Sequence, residues 1–336
     1  MDQKGWVATR AMGDQGYENH RVHTPQFQEG VCIHPKDEGG RRRCVRAAKR
    51  GTYVRICRGL YAPTDEWRKL DEVERARNIA LALSKMHPTW VFCLYTAAAM
   101  YGLEIGRDNA TRIHVQAPQG GNTKANNLLA RYPMTCGSPV IVHGAKVTPP
   151  AQTVVDCLLG LPFARALAVA DSALRNLGLA KEDLRAELES RPLSAGHPVA
   201  HAVIVHADSR AENGGESVAR AIMIEQGFMV PELQVKITDA LDAGRDYYVD
   251  FYWHLQSGDV VGELDGRDKY QDARMLGDRD TLDVLIDERH CESRLTVPGV
   301  RVMRFTFRDV MDTQRFVRLL ELYGIPRGPS RLLAGR

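Results

Sequence analysis

The sequence has 336 residues, 44% of them hydrophobic and 26% charged, a composition that excludes a disordered chain and predicts two or three folded domains. Lysine and arginine number 45 against 42 acids, so the net charge of +3 does not by itself identify a polyanion partner. No stretch approaches the roughly 18–20 apolar residues of a membrane span, no apolar leader is present and the seven cysteines lack metal-ligand spacing, so we expect a cytoplasmic protein with no membrane partner.

The basic segment, residues 41–65, follows 40 residues that show little periodicity and are expected to be irregular. From Arg41 to Arg58, eight of eighteen residues are cationic and none is acidic. A helical stretch, a turn at Gly51 and two short strands ending at Pro63 are predicted, like the wing of a winged helix. Because cations neutralise phosphates, the segment predicts DNA binding; the alternative is a solvated basic face. The candidate DNA-binding residues are Arg42, Arg43, Arg46, Arg50 and Arg55.

Residues 66–190 are predicted to form a mixed, mainly helical α/β domain. The predicted helices run from residue 64 or 65 to 86, over 94–101, from 149 onward and over 163–177. Strands are predicted over 111–117 and 139–147. Residues 191–207 contain Pro192, Gly196 and Pro198, which predict a linker region holding a last short helix.

The C-terminal domain is predicted over residues 208–325, followed by a tail, 326–336. Its elements are predicted in the order αβββαβα. The helices cover 212–227, 268–289 and 312–323, and the strands cover 230–238, 246–254, 259–265 and 300–307. The whole chain is therefore expected to be α/β, or α+β overall.

Acidic residues recur on the first helix and on two neighbouring strands of this domain. Glu263 and Asp265 occupy positions i and i+2 of one strand, so they share a face. Hairpin pairing can place Asp250 beside them, and Glu216 can reach the same cluster from the helix. Converging carboxylates repel, a cost that Mg²⁺ or Mn²⁺ offsets. These residues predict a metal site on Asp250, Glu263 and Asp265 for phosphodiester hydrolysis, with Lys269 nearby; the alternative is a set of solvated acids.

The order of these motifs resembles the very-short-patch-repair-type endonuclease domain, a branch of the PD-(D/E)XK superfamily. The motifs are Glu216-Ser217, Pro231-Glu232-Leu233-Gln234, Val249-Asp250-Phe251, Glu263-Leu264-Asp265-Gly266 with Lys269, Asp278-Arg279 and Val302-Met303-Arg304-Phe305. The resemblance implies a restriction-endonuclease-like core, with Asp250 and Glu263 as metal ligands and Glu216 as the helix acid. The superfamily pattern E-x-K would place a lysine where Asp265 stands, so a catalytic lysine would have to act from Lys269.

The front of the chain, about residues 41–185, resembles the AbiEi antitoxin-type transcriptional regulators. The motifs are Arg58-Gly59-Leu60-Tyr61-Ala62-Pro63, Tyr95-Thr96-Ala97-Ala98 before Gly102-Leu103, and Val147-Thr148-Pro149-Pro150-Ala151-Gln152-Thr153-Val154-Val155-Asp156. The resemblance implies a DNA-binding winged helix with a second domain behind it. It also makes a cognate toxin a candidate partner.

Two functions are consistent with these patterns. The first is a DNA-binding protein whose C-terminal domain is an Mg²⁺-dependent deoxyribonuclease or nickase. The second is a non-catalytic antitoxin-like regulator that uses a degenerate nuclease fold for DNA binding or dimerisation; Asp265 in the lysine position favours it. A homodimer is a candidate assembly for the first, because cutting both strands usually takes two sites.

Overall fold

The structure is a computed structural model that describes residues 30–117, 126–133, 137–238, 246–265 and 300–328. The chain divides into two compact units, residues 1–207 and 208–336. The second unit begins at the residue predicted to start the C-terminal domain. The fold is mixed α/β, with three sheets in the described parts. None of the described helices is long and apolar enough to cross a membrane.

The first unit opens with helix α1 (Glu38–Lys49) and a hairpin of β1 (Tyr53–Cys57) and β2 (Leu60–Pro63). The helix begins before residue 41, the predicted start, because the Asp37 side chain caps it and accepts a hydrogen bond from the Gly40 amide at 2.6 Å. A turn at Gly51, with φ of 78°, leads into β1. The predicted helix–turn–hairpin pattern is therefore present.

The single helix predicted from residue 64 to 86 is two helices, α2 (Thr64–Lys69) and α3 (Glu72–Met86). The Asp71 side chain accepts from the Glu74 amide at 2.8 Å, and the Glu74 side chain accepts from the Asp71 amide at 3.0 Å. This reciprocal capping box starts a new helix, which is why the apolar periodicity does not describe one continuous helix.

A five-stranded sheet, in the order β5-β4-β3-β7-β6, lies in the first unit. Its strands are β3 (Val91–Phe92), β4 (Ile113–Gln116), β5 (Leu129–Tyr132), β6 (Val140–Val142) and β7 (Ala145–Val147). The strand predicted over 139–147 is a hairpin, because His143 and Gly144 adopt left-handed φ values of 49° and 82° and form its two-residue turn. Strands β3 and β5 are not among the predicted elements.

The described parts of the first unit contain five further α-helices and a short 3-10 helix, Arg107–Thr111. The α-helices are α4 (Leu94–Met100), α5 (Pro150–Leu158), α6 (Phe163–Leu177), α7 (Lys181–Glu189) and α8 (His197–His206). Helix α6 has the predicted bounds and ends at Gly178, whose φ is 65°. Helix α8 lies within the segment predicted to be a linker. It buries Ala200, Val203 and Ile204, so this stretch packs as part of the first unit.

The second unit is built on a four-stranded sheet in the order β11-β10-β9-β8. Its described elements are α9 (Gly214–Glu225), β8 (Glu232–Thr238), β9 (Asp246–Trp253), β10 (Val260–Asp265), β11 (Arg301–Thr306), α10 (Phe307–Met311) and α11 (Thr313–Leu322). Strands β8, β9 and β10 are antiparallel, and β11 is parallel to β10. The short helix α10 is not among the predicted elements. The helix predicted over 268–289 lies outside the described residues.

The described residues of this unit form two apolar clusters. The aromatic cluster contains Phe251, Trp253, Phe305 and Phe316, with apolar residues of α9 and α11 packed on them. The valine cluster contains Val249, Tyr252 and Val261, with Val235, Ile237, Val300 and Val302 partly buried against it. Val260 belongs to the first cluster and Val261 to the second, as expected when successive strand residues point to opposite faces of a sheet.

Two leucines on α11 test the position of the aromatic cluster. Leu320 is fully buried in it, whereas Leu322 is 81% exposed. We expect Leu320→Ala to lower the free energy of unfolding of the second unit by about 2–5 kcal/mol, because it leaves a cavity. Leu322→Ala should change it by less than about 0.5 kcal/mol. Urea unfolding monitored by hydrogen exchange of the amides of β8, β9, β10 and β11 measures both changes in the free energy of unfolding. Equal losses of free energy in the two variants would contradict this packing.

Candidate functional site

Glu216 is held at the N-terminus of α9 by the residues just before it. The Asn213 side chain caps the helix by accepting from the Glu216 amide at 3.0 Å, and its Nδ2 donates to Glu216 Oε1 at 2.5 Å. The Glu212 amide donates to Glu216 Oε2 at 2.7 Å. Glu216 is only 2% exposed. The buried carboxyl group is tolerated here because the Glu212 amide and the Asn213 side chain donate hydrogen bonds to its two oxygens.

Gln234 links Glu216 to Asp250. It lies on β8 opposite β9, and its Nε2 is 3.3 Å from Asp250 Oδ1 and 3.5 Å from Glu216 Oε2. Its backbone has φ of 51°, a left-handed conformation that is rare for a strand residue with a side chain. The neighbours Leu233 and Val235 pack in different apolar clusters, although residues two apart in a regular strand share a face. The strand therefore changes face at Gln234.

The other oxygen of Asp250 is bound by the next strand. The Leu264 amide of β10 donates to Asp250 Oδ2 at 2.8 Å. The Asp250 carboxylate thus joins three strands: its own strand β9, β8 through the Gln234 amide and β10 through the Leu264 backbone. Asp250 is half-buried, so it can be reached from solvent as well.

Asp265, at the end of β10, forms an ion pair with Arg304 of β11. The Arg304 Nε is 3.1 Å from Asp265 Oδ1 and 3.3 Å from Oδ2, and its Nη2 is 2.5 Å from Oδ1. The parallel register places Glu263 beside Arg304. Glu263 and Asp265 are both half-buried and, two residues apart on one strand, share a face. The end of β10 therefore carries two acids and one cation from the neighbouring strand.

The predicted acids fall into two groups. The structure joins Glu216 to Asp250 through Gln234, and it pairs Asp265 with Arg304, while Glu263 stands next to Arg304 in the sheet. Lys269 lies outside the described residues. Within the described ranges, no group of three or more histidine, cysteine, aspartate or glutamate residues could hold a metal ion. Gln234 and Arg304 are not among the site residues predicted from the sequence, although both belong to motifs that carry the endonuclease resemblance.

The candidate DNA-binding arginines lie on one helix and one strand of the first unit. The five are exposed: Arg42, Arg43 and Arg46 lie on α1, Arg50 is the residue that caps its C-terminus and Arg55 lies on β1. The opposite face of α1 is buried through Cys44 and Ala47. Arg42 Nε donates to Glu38 at 3.3 Å, an i, i+4 pair that partly offsets its charge. The spacing of Arg46 and Arg50 places both on one face of the helix.

Comparisons with known proteins find two relatives in Mycobacterium tuberculosis. The chain is 32% identical over 205 residues to "Uncharacterized protein Rv2248" and to "Uncharacterized protein MT2308", from two strains of Mycobacterium tuberculosis. The match covers 61% of this chain and 71% of each relative. No family model matches the chain, and no solved structure matches it. The chain therefore belongs to the same family as these two proteins.

The buried Glu216 carboxyl predicts a pH-dependent stability. Burial raises its pKa from 4.5 to about 7, and the Asp250 charge adds to the rise. The folded state then binds more protons than the unfolded state, so the free energy of unfolding falls as the pH rises from about 4.5 to about 7. The full effect is on the order of 3 kcal/mol. We expect Glu216→Gln to remove this fall.

Thermal unfolding of the wild type and Glu216→Gln between about pH 5 and pH 8 measures the difference in slope. Glu232→Gln is the control, because Glu232 is exposed on β8 of the same unit, and we expect it to keep the wild-type profile. Parallel profiles for the wild type and Glu216→Gln would show that Glu216 is not buried as described.

Proposed function

We propose that this protein binds DNA and that its second unit is a metal-dependent endonuclease-like domain that hydrolyses phosphodiester bonds. The observation that carries the proposal is the meeting of Glu216 from α9 with Asp250 from β9 through the single amide of Gln234. Two carboxylates gathered from separate elements at a strained strand position are typical of a functional site, because strain and buried charge both cost stability.

The order of the described elements supports the same proposal. A helix, three antiparallel strands and a strand parallel to the third are present, as the resemblance to very-short-patch-repair-type endonucleases implies. In that resemblance Glu216 is the helix acid, while Asp250 and Glu263 are the metal ligands. Asp250 is on the second strand of this order and Glu263 is on the third.

Carboxylates of neighbouring strands would supply the protein ligands of a hard divalent cation in this proposal. Asp250 raises the pKa of Glu216, so the two carboxylates repel each other, and a cation would offset that repulsion. Carboxylate oxygens are the ligands that Mg²⁺ and Mn²⁺ prefer, and we place the cation on Asp250 and Glu263. Asp265 is also a predicted ligand, but its pairing with Arg304 favours a different role. When bound, the ion would polarise a phosphoryl oxygen and lower the pKa of a coordinated water.

Hydrolysis joins the oxygen of one water molecule to phosphorus, breaks one P–O ester bond and leaves a proton on the departing oxygen. The residues of this chain would supply the setting for that exchange. Gln234 holds the Asp250 carboxylate in place, and the Leu264 amide fixes its other oxygen. Positions fixed by hydrogen bonds on strands lower the cost of orienting the reacting groups.

A non-catalytic regulator is the second candidate, and one observation favours it. Asp265 occupies the position of the superfamily lysine, and it is neutralised by Arg304. In this alternative the second unit would keep the fold for DNA binding or dimerisation. The exposed arginines of α1 serve either function, because phosphate contacts provide affinity without sequence reading.

A cleavage assay separates the two candidates. We expect purified protein to nick or cut supercoiled DNA with Mg²⁺ or Mn²⁺, and we expect Asp250→Asn and Glu263→Gln each to lower the rate by about 100-fold or more, because each removes a metal ligand. Asp246→Asn is the matched control: Asp246 lies on the same strand, exposed and paired with Lys236, and its loss should leave the rate unchanged. Intact DNA with both metals would favour the regulator.

The basic face of α1 predicts salt-sensitive DNA binding. We expect the double variant Arg46→Gln/Arg50→Gln to weaken binding and to reduce the slope of log affinity against log salt by roughly 0.9 for each phosphate that is no longer neutralised. Lys181→Gln/Arg185→Gln on α7 removes the same charge from another helix of the first unit and should leave the slope unchanged. Fluorescence anisotropy at several salt concentrations measures both. Equal slopes for the two double variants would locate the DNA elsewhere.

A further inference from the structure

We infer that Arg304 is the cation that contacts the scissile phosphate, in the place that a lysine of the third strand would otherwise fill. This inference rests on the proposed function and names a further residue of the same site. It comes from the pairing of β10 with β11 and from the way Asp265 holds the guanidinium group.

The sheet brings Arg304 next to the acids. Arg304 is the register partner of Glu263 in the parallel pair, so the two side chains project from the same face on adjacent strands. The intervening residue, Leu264, gives its amide to Asp250. Asp265, one residue further, binds Arg304. Glu263 and Asp265 therefore adjoin or bind Arg304, and Leu264 between them binds Asp250, so Arg304 and the Asp250 carboxylate lie on either side of the same strand.

Asp265 orients the guanidinium group. It binds Arg304 through Nε and Nη2, one side of the planar fork, and this fixes the direction of the plane. Arginine in such a fixed plane matches the geometry of phosphate oxygens better than a flexible lysine does. An acid two residues after Glu263 would be a poor replacement for a catalytic lysine by itself. Asp265 instead positions Arg304 of the next strand, and Arg304 supplies the cation that the lysine would have provided.

A purely structural role is a weaker explanation of the pair. The side chains of Arg304 and Asp265 are 31% and 36% exposed, and ion pairs in contact with solvent contribute little to stability. Arg301, on the same strand, shows what a structural arginine looks like here. It lies at the opposite end of β11 and bonds the Gly258 carbonyl at 3.2 Å and the Ser257 hydroxyl at 3.3 Å, closing the β9–β10 loop.

The test compares Arg304 with Arg301 in the full chain. We expect Arg304→Ala to lower the single-turnover cleavage rate of Mg²⁺-loaded protein by about 100-fold or more, as for loss of one charge-stabilising group. Arg304→Lys should recover part of this loss, because it keeps the charge. Asp265→Asn should lower the cleavage rate constant by less than Arg304→Ala does, with little effect on DNA affinity. Arg301→Ala should cleave like the wild type. If Arg304→Ala does not fold, Arg304→Lys is the variant that tests the role of Arg304.

A second readout does not depend on cleavage. With Ca²⁺ in place of Mg²⁺, we expect Arg304→Gln to lower the salt slope of DNA binding by about 0.9, the value of one phosphate contact, and Arg301→Gln to leave it unchanged. If the wild type cleaves and Arg304→Ala cleaves equally well, the inference is overturned. If the wild type does not cleave under any condition, the proposed nuclease fails. The salt slope then decides: a lower slope for Arg304→Gln supports the phosphate contact, and an unchanged slope overturns it.

Discussion

The carboxylate of Asp250 is the constraint on which the second unit depends. A half-buried acid must satisfy its oxygens, and it does so with the Gln234 amide on one side and the Leu264 backbone on the other. These contacts join β8, β9 and β10 at a single point, and Gln234 extends the junction to Glu216 at the start of α9. The same hydrogen bonds that align the strands therefore also assemble the candidate site.

Much of the second unit could be predicted from the sequence because its signals are local. Alternating apolar residues locate β9, β10 and β11. The helix that carries Glu216 is predicted from its apolar periodicity and from Gly227, which lies just after its C-terminal end. Strand alternation places Glu263 and Asp265 on one face. The Arg304 partnership could not be predicted in this way, since it joins residues 39 apart through the register of two parallel strands. No local pattern fixes that register.

The differences in the first unit also have local physical causes. The break between α2 and α3 follows from the Asp71–Glu74 capping box, which is readable in sequence once both residues are considered together. The hairpin turn between β6 and β7 has His143 in a left-handed conformation, which histidine as a residue type does not predict. Gln234 is the same case in the second unit. A left-handed conformation at a residue other than glycine depends on tertiary contacts, so the local sequence does not predict it.

The left-handed backbone of Gln234 has a consequence for how this family can change. Such a conformation costs on the order of 1–3 kcal/mol, and glycine would adopt it without that cost. Glycine, however, has no side-chain amide to place between two carboxylates. A more stable fold therefore favours glycine at this position, whereas the link between the two carboxylates requires a side-chain amide. This chain has the amide, at the cost of the strained backbone.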